Sequence, residues 1–345
     1  MNKKKRLIII NKEKIFLKNN IFYCDNIDMK TIPEELSKNF DLLVIATKSK
    51  IERFLEIDFK NIKVANNIFI FLLRIFQTFK KDQANYLLVS ITPYNFFAFL
   101  FLFIFRKNIY IYLRSNGYEE YKAILGFLGP IIYHIMFTIV TSKSKIITCQ
   151  ERLVKKKGNY HLVFPSELKE EWLTNIKAPL INKPKLLYVG RVKIEKGIFS
   201  LIKILGESNS NISLSIAGND ETKKINNKNI NLLGFQKDLS SLIKVYDDHN
   251  ITILPSFTEA HPKVIDESLA RIRPIIIFEE IEHIIQNKYG VFVAKRDAQS
   301  LLKTIEFIMK NYNNIQEKIK LNKLPTKKIF ISEFTKILSE LSLLW

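Results

Sequence analysis

Short runs of Ile, Val and Leu recur along the chain with longer helix-like stretches between them, and this alternation restricts the fold more than any other feature. Strands that read as continuous apolar runs are buried on both faces, which requires helices on either side of a largely parallel sheet. The expected class is therefore α/β. One series of expected strands covers 7–10, 42–46, 86–89, 109–113, 145–148 and 161–164. A second covers 186–189, 212–217, 230–233, 251–254 and 274–278, with helices expected over 198–205, 239–247, 263–271 and 298–310.

Two series fit the length, because 345 residues exceed what a single core usually organises. The stretch PSELKEEWLTNIKAPLINKPK is polar, carries three prolines and lacks a sustained apolar period, so it reads as the connection. The expected division is a first domain over 1–166, a linker over 167–184, a second domain over 185–326 and a terminal helix over 327–345. That last segment is amphipathic, with Ile331, Phe334, Ile337, Leu338 and Leu341 on one side, and either returns to the first domain or stays with the second.

The formal net charge of +20 implies an anionic partner: nucleic acid, a phosphate-rich substrate or an acidic lipid surface. The basic residues are dispersed and form no recognisable nucleic-acid module, so nucleic acid is not an expected partner. Two cysteines, Cys24 and Cys149, lack metal-ligand spacing, which fits a reducing cytoplasm. The apolar run in MNKKKRLIIIN is too short for a signal-peptide core and reads as a first buried strand. Two segments raise the question of a membrane. FFAFLFLFIF (96–105) stops at Arg106-Lys107 after ten residues, and AILGFLGPIIYHIMFTIV (123–140) is interrupted midway by Gly129-Pro130 and carries His134. Each alone reads as a partly buried helix; with the charge excess, monotopic contact with a membrane surface is the second reading.

The stretch PSFTEAHPKVIDESLARIRP (255–274) follows an expected strand and contains Pro262 as a first-turn proline, placing a helix start at 261–264. Glu259 precedes that start at the carboxyl end of the strand, where ligands collect in open α/β sheets and where helix amides attract anions. Glu267 lies off the apolar face set by Ile265, Leu269 and Ile272, and a solvated i, i+4 pair with Arg271 accounts for it taken singly. Upstream, KLLYVGRVKIEKG (185–197) is a strand followed by Gly190, Arg191 and Lys196, a pattern that brings backbone and two cations to the same sheet edge. A diphosphate matches that pattern; a turn with solvated cations is the plainer account. No Asp-x-Asp pair stands at a strand end: Asp25 with Asp28 reads as a loop, Asp247-Asp248 as a helix surface, so neither metal nor cofactor is expected.

Five blocks in order, GRVKIEKG, SLSIAGND, NLLGFQKDL, PSFTEAHPKVIDESLA and YGVFVAKRDAQSLLKTI, resemble the donor-binding half of GT-B glycosyltransferases, specifically the retaining family 4. Glu259 and Glu267 look like that family's Glu-x7-Glu signature. The resemblance implies two Rossmann-like domains facing a central cleft. It also implies Glu259 at the donor-sugar hydroxyls, Glu267 at the nucleotide ribose, and Arg191 and Lys196 on the diphosphate. The backbone of Ala260, His261, Pro262, Lys263 and Val264 would add amides, with Gly190, Gly218 and the turn Gly234, Phe235, Gln236 near the nucleotide. Arg114 and Asn116 in IYIYLRSNGYEEY would face the donor or acceptor sugar, although a strand-end turn explains them equally.

The chain departs from the family in two places. ARIRP (270–274) puts Ile272 where a glycine usually lets the helix end turn, and NKEKIFLKNN (11–20) contains no glycine where a glycine-rich loop is usual. The expectation is a glycosyltransferase moving a sugar from a nucleotide-diphosphate donor to a glycan or lipid-linked acceptor, retaining and metal-independent, in lipopolysaccharide or capsule synthesis. It would lie in the cytoplasm, peripheral on the inner face of the plasma membrane. The alternative is a GT-B-like binding or scaffold protein with a decayed site.

Overall fold

The computed structural model describes residues 4–79, 84–154, 158–208, 212–218, 229–259 and 261–340. They divide into two units, residues 1–164 with 328–345, and residues 165–327.

In the first unit the strands are β1 (Arg6–Lys18), β2 (Ile21–Cys24), β3 (Asp41–Lys48), β4 (Leu55–Ile57), β5 (Ile62–Ala65), β6 (Ala84–Val89), β7 (Asn108–Leu113), β8 (Lys145–Thr148) and β9 (Tyr160–Leu162). Its parallel sheet runs β5-β3-β1-β6-β7-β8-β9. Helices α1 (Ile27–Leu36), α2 (Ile68–Phe76), α3 (Pro93–Ile104), α4 (Gly117–Leu125) and α5 (Leu128–Ser142) accompany it, with the single turn α6 (Glu151–Val154). The strand expected over 7–10 is longer: β1 continues through Lys18 and turns back on β2, which also pairs with β4. Asn19 and Asn20 both have positive φ, 50° and 60°, as a two-residue hairpin turn matching the strand twist requires. The glycine-free segment is thus a hairpin arm, and β2, β4 and β5 are additions to the expected strands.

Gly129-Pro130 does not break a helix midway. Both residues fall in the first turn of α5, where a missing proline N–H costs nothing, and the break lies between α4 and α5. Among the described residues, no helix is long and apolar enough to cross a membrane.

The second unit opens with the single turn α7 (Glu170–Leu173) and carries β10 (Lys185–Val189), α8 (Ile198–Glu207), β11 (Ser213–Ala217), β12 (Ile230–Gly234), α9 (Leu239–Asp247), β13 (Ile251–Leu254), α10 (Lys263–Ala270), β14 (Ile275–Phe278), β15 (Val291–Ala294), α11 (Ala298–Lys310) and α12 (Tyr312–Ile319). All six strands are parallel, in the order β12-β11-β10-β13-β14-β15. Counted within the unit this is 3-2-1-4-5-6, the doubly wound order, whose direction reverses between β10 and β13. Ligands in such sheets bind at the carboxyl ends of the strands flanking that reversal. Residues 167–184, expected as a linker, contribute to this unit's core: Leu168 and Trp172 are each 1% exposed and pack with Leu187, Tyr246 and Ala270. The final helix, α13 (Lys327–Ser339), buries Phe330, Phe334, Ile337 and Leu338 in the core of the first unit, where Phe334 lies against Tyr112. Leu341 lies outside the described residues.

Candidate active site

The chain places three glycines side by side at the carboxyl edge of β10, β11 and β12. Gly190 N–H donates to Ala217 O at 2.9 Å, and Gly218 N–H to Gly234 O at 3.0 Å. A Cβ on Gly218 would stand 1.8 Å from Gly190 O, so no side chain fits there without moving backbone. The edge is therefore bare peptide, open to close approach by a ligand. Gly218→Ala is expected to destabilise the unit by about 1–3 kcal/mol through overpacking; calorimetric melting checks it.

Across the reversal point, Gly197 follows a 3-10 turn (Ile194–Lys196) and has φ 67°; its Cβ would lie 1.8 Å from Pro255 O at the end of β13. This contact ties the loop after β10 to the loop after β13. Phe257 N–H donates to Glu195 O at 3.2 Å in the same junction. The junction brings Lys196 to Glu259, Nζ to Oε1, at 2.5 Å, and Ser256 Oγ donates to the same oxygen at 2.7 Å. Both charged side chains keep partial solvent access, 22% and 12% exposed. Arg191 is exposed. It lies close to the same junction: the buried Tyr188 hydroxyl donates to Arg191 O at 2.7 Å. Burial pushes the Tyr188 phenol up, Glu259 adds to that and Arg191 opposes it, so one hydroxyl feels both charges.

Pro262 is the N-cap of α10, one position ahead of the expected first turn, and the helix starts at Lys263. His261 Nε2 lies 3.1 Å from Asp266 Oδ2, and Lys288 Nζ lies 2.9 Å from Asp266 Oδ1. Burial pushes the Asp266 carboxyl up, but His261 and Lys288 more than offset it and hold it below the usual range. This set fixes the first turn of α10 and the backbone of His261. Lys263 reaches Glu167 at 3.4 Å, and Val264 packs against the core. Ala260 lies outside the described residues. Phe235 and Gln236 follow β12 in the turn beside Gly234, where Gln236 Nε2 donates to Leu233 O at 2.9 Å.

Glu267 does not pair with Arg271. Its Oε2 accepts from Tyr246 OH at 2.8 Å, and burial pushes its carboxyl up while that hydroxyl opposes the shift. Arg271 is 1% exposed and turns away into the core, where it forms two parallel bonds to Asp247, each 2.9 Å. Asp247 is itself buried, not a helix-surface residue. Ile272 adopts the left-handed conformation, φ 55°, that the usual glycine would supply, so the turn keeps its shape.

Arg114 and Asn116 lie in the first unit after β7. Arg114 Nη1 bonds Asp28 Oδ2 at 3.1 Å. The Asn116 side chain caps α4, accepting from Tyr118 N–H at 3.2 Å and donating to Glu119 at 2.7 Å. Its polar atoms are committed to the turn.

Three residues beside Glu259 had no place in the sequence reading. Ser256 holds its carboxylate, and His283 Nε2 lies 3.2 Å from Glu259 O. Arg296, two residues beyond β15, sits over the rings of Phe257 and Phe278 at 4.1 and 4.4 Å and donates to Glu280 at 2.6 Å and Ser256 O at 3.4 Å. Its position just past the carboxyl end of a strand was the available signal.

Residues 173–323 match the family model described as Glycosyl transferases group 1. No curated protein matches the chain. Among solved structures, HepE of Anabaena in complex with UDP is similar over 97% of this chain and all of its own, at 11% identity and TM-score 0.69. Sucrose-phosphate synthase from Thermosynechococcus elongatus is similar over 96% of this chain and 98% of its own, at 14% identity and TM-score 0.66. WaaG, a glycosyltransferase involved in lipopolysaccharide biosynthesis, is similar over 96% of this chain and 99% of its own, at 13% identity and TM-score 0.63. At these identities the likeness is one of fold.

Proposed function

We propose, for a chain that belongs through residues 173–323 to the glycosyl transferases group 1 family, that it transfers a sugar from a nucleoside-diphosphate donor bound at the reversal point of the second sheet. The observation that carries this reading is the junction of Lys196, Ser256 and Glu259, which follows the carboxyl ends of the same parallel sheet as the bare glycine edge. A polyol and a diphosphate are the two chemistries that edge suits: carboxylates accept from hydroxyls, while cations and peptide N–H groups meet phosphate oxygens. HepE, which shares the fold, was solved with UDP and with UDP-glucose.

Arg191 and Lys196 hold the diphosphate, aided by the amides at the start of α10, and Glu259 accepts from hydroxyls of the donor sugar. Glu267, presented by Tyr246, accepts from the ribose. In the reaction the bond between the anomeric carbon and the diphosphate oxygen breaks, and the electron pair leaves with the diphosphate. An acceptor hydroxyl forms the new bond and its proton passes to the departing phosphate, so the anomeric configuration is retained. The side-chain cations and helix amides neutralise the leaving group, which leaves no role that requires a metal. The acceptor is a glycan or lipid-linked glycan, in the synthesis of lipopolysaccharide or capsule at the inner face of the plasma membrane. Of the two departures behind the decayed-site alternative, Ile272 no longer supports it, because that residue preserves the turn its side chain was expected to spoil; the glycine-free segment 11–20 remains.

A panel of nucleotide sugars screened by thermal melting tests the donor assignment. One donor should raise the melting temperature in a concentration-dependent way, as a ligand selective for the folded state must. A full panel without any shift would remove it.

A further inference from the structure

A pocket of about 680 Å³ opens in the first unit at the amino ends of β7, β8 and β9, the sheet edge opposite the one that α/β enzymes use for substrates. Lys107, Lys143, Lys145 and His161 line it together with the polar groups of Asn108 and Tyr160, and among the described residues Glu340 supplies the one carboxylate of the lining. Lys145 is set by the Tyr110 ring, 5.1 Å below its Nζ, and Lys107 by the Phe79 ring, 4.6 Å below. The pocket is therefore a cationic bowl with two of its ammonium groups held in place by aromatic faces.

Two apolar stripes end at its rim. On α2, Phe69, Leu73 and Phe76 repeat at i, i+4 and i+7 and are 80%, 52% and 45% exposed. Phe76 packs on Phe79, the ring beneath Lys107, and both touch Phe105, beside the 72%-exposed Ile104 at the end of α3. On α5, Leu128, Ile131, Ile132, Ile135 and Ile139 form the second stripe, from 38% to 56% exposed, and the helix ends at the lysine-bearing segment 143–145. A soluble phosphate metabolite accounts for the bowl but leaves both stripes in water. A bilayer surface accounts for both, because its acyl region covers the stripes while its headgroups carry the opposite charge to the lysines.

We infer that the pocket of Lys107, Lys143 and Lys145 takes the phosphate headgroup of an acidic membrane lipid, with the outer faces of α2, α3 and α5 resting in the bilayer interface. This deepens the membrane-contact part of the proposed function and is independent of the donor site. Loss of nucleotide-sugar binding would leave it standing, and its own failure would leave sugar transfer standing.

Vesicle sedimentation of the full chain tests it. Wild-type protein should pellet with vesicles of equal phosphatidylglycerol and phosphatidylcholine and stay in solution with phosphatidylcholine alone. Each of Lys107→Gln and Lys143→Gln should weaken binding about fivefold, since a juxtamembrane lysine contributes about that much. Phe69→Ser with Ile104→Ser, both surface positions, should weaken it at least about tenfold. Melting temperature and nucleotide-sugar stabilisation should stay at wild-type values; if Lys107→Gln lowers melting, the exposed Lys143→Gln decides alone. Vesicle binding indifferent to the lysine changes would overturn the inference. So would an apolar pair without effect, or displacement from vesicles by millimolar inorganic phosphate, which would mark a site for soluble phosphate.

Discussion

Arg271→Ala is expected to lower stability by about 3–5 kcal/mol, the cost typical of removing one partner from a buried ion pair. For a folding unit of this size that corresponds to roughly 6–20 °C in melting temperature. All five N–H groups of the guanidinium are used: two on Asp247, one each on Trp172 O at 3.0 Å, Thr174 O at 2.8 Å and Asn175 O at 3.0 Å. Alanine would leave the Asp247 carboxylate buried with only the more distant Arg273 at 3.8 Å, and three carbonyls without a donor. Lysine should not rescue the loss, since a point charge cannot reproduce the planar fork. Adding Asp247→Asn to Arg271→Ala should recover part of it by removing the stranded charge, which separates the ionic contribution from the carbonyl bonds. The effect should reach the site as well. The network joins the turn at Trp172, the end of α9 and the end of α10, and these hold Tyr246 against Glu267, so weaker nucleotide binding should accompany the lower melting. A variant melting within about 2 °C of wild type would mean the network contributes far less than its geometry implies.

Arg271 also shows where sequence reasoning stops. The spacing Glu267-x3-Arg271 is a favourable helical pair, and nothing local indicates that the arginine instead turns inward to meet Asp247, twenty-four residues earlier. Ion pairs of that kind are decided by the packing of α9 on α10, which no periodicity encodes. The parallel core strands were legible because each is a burst of β-branched residues buried on both faces, as Ile275–Phe278 is. The second half of β1 was missed because KEKIFLK alternates charged and apolar residues and looked like a loop, and with it went its partner β2, a run of only four residues. The signal present there was Asn19-Asn20, two residues that tolerate positive φ in succession. The linker was misread for a related reason: it lacks a period because it is irregular, yet Leu168 and Trp172 anchor it in the core. At the candidate site, Lys196 and Glu259 could be named from their position after strands, whereas the contacts of Ser256, His283 and Arg296 depend on loop conformations that only the assembled sheet defines.

Glu259→Gln is expected to reduce kcat by about 10²–10³, the loss that follows when one preorganised electrostatic contact to a transition state is removed. The fold should be untouched, because glutamine keeps the length of the side chain and an oxygen that accepts from Lys196 and Ser256. What it loses is the charge. Lys196 and Glu259 form an ion pair at 2.5 Å; on the proposed assignment a donor would offer each a second partner, phosphate oxygens for the ammonium group and sugar hydroxyls for the carboxylate. Donor binding would then be an exchange of partners, which the partial exposure of both side chains allows. Lys196→Ala should act differently, raising the donor KM as well as lowering kcat, because it meets the diphosphate in both ground and transition states. It should also remove the ammonium group paired with Glu259 and leave that carboxylate hydrogen-bonded by Ser256, so the double variant should lose less than the sum of the two single losses. Steady-state kinetics on purified protein with the donor identified by thermal melting would resolve these terms. Wild-type turnover by the glutamine variant, with donor stabilisation intact, would take Glu259 out of the reaction.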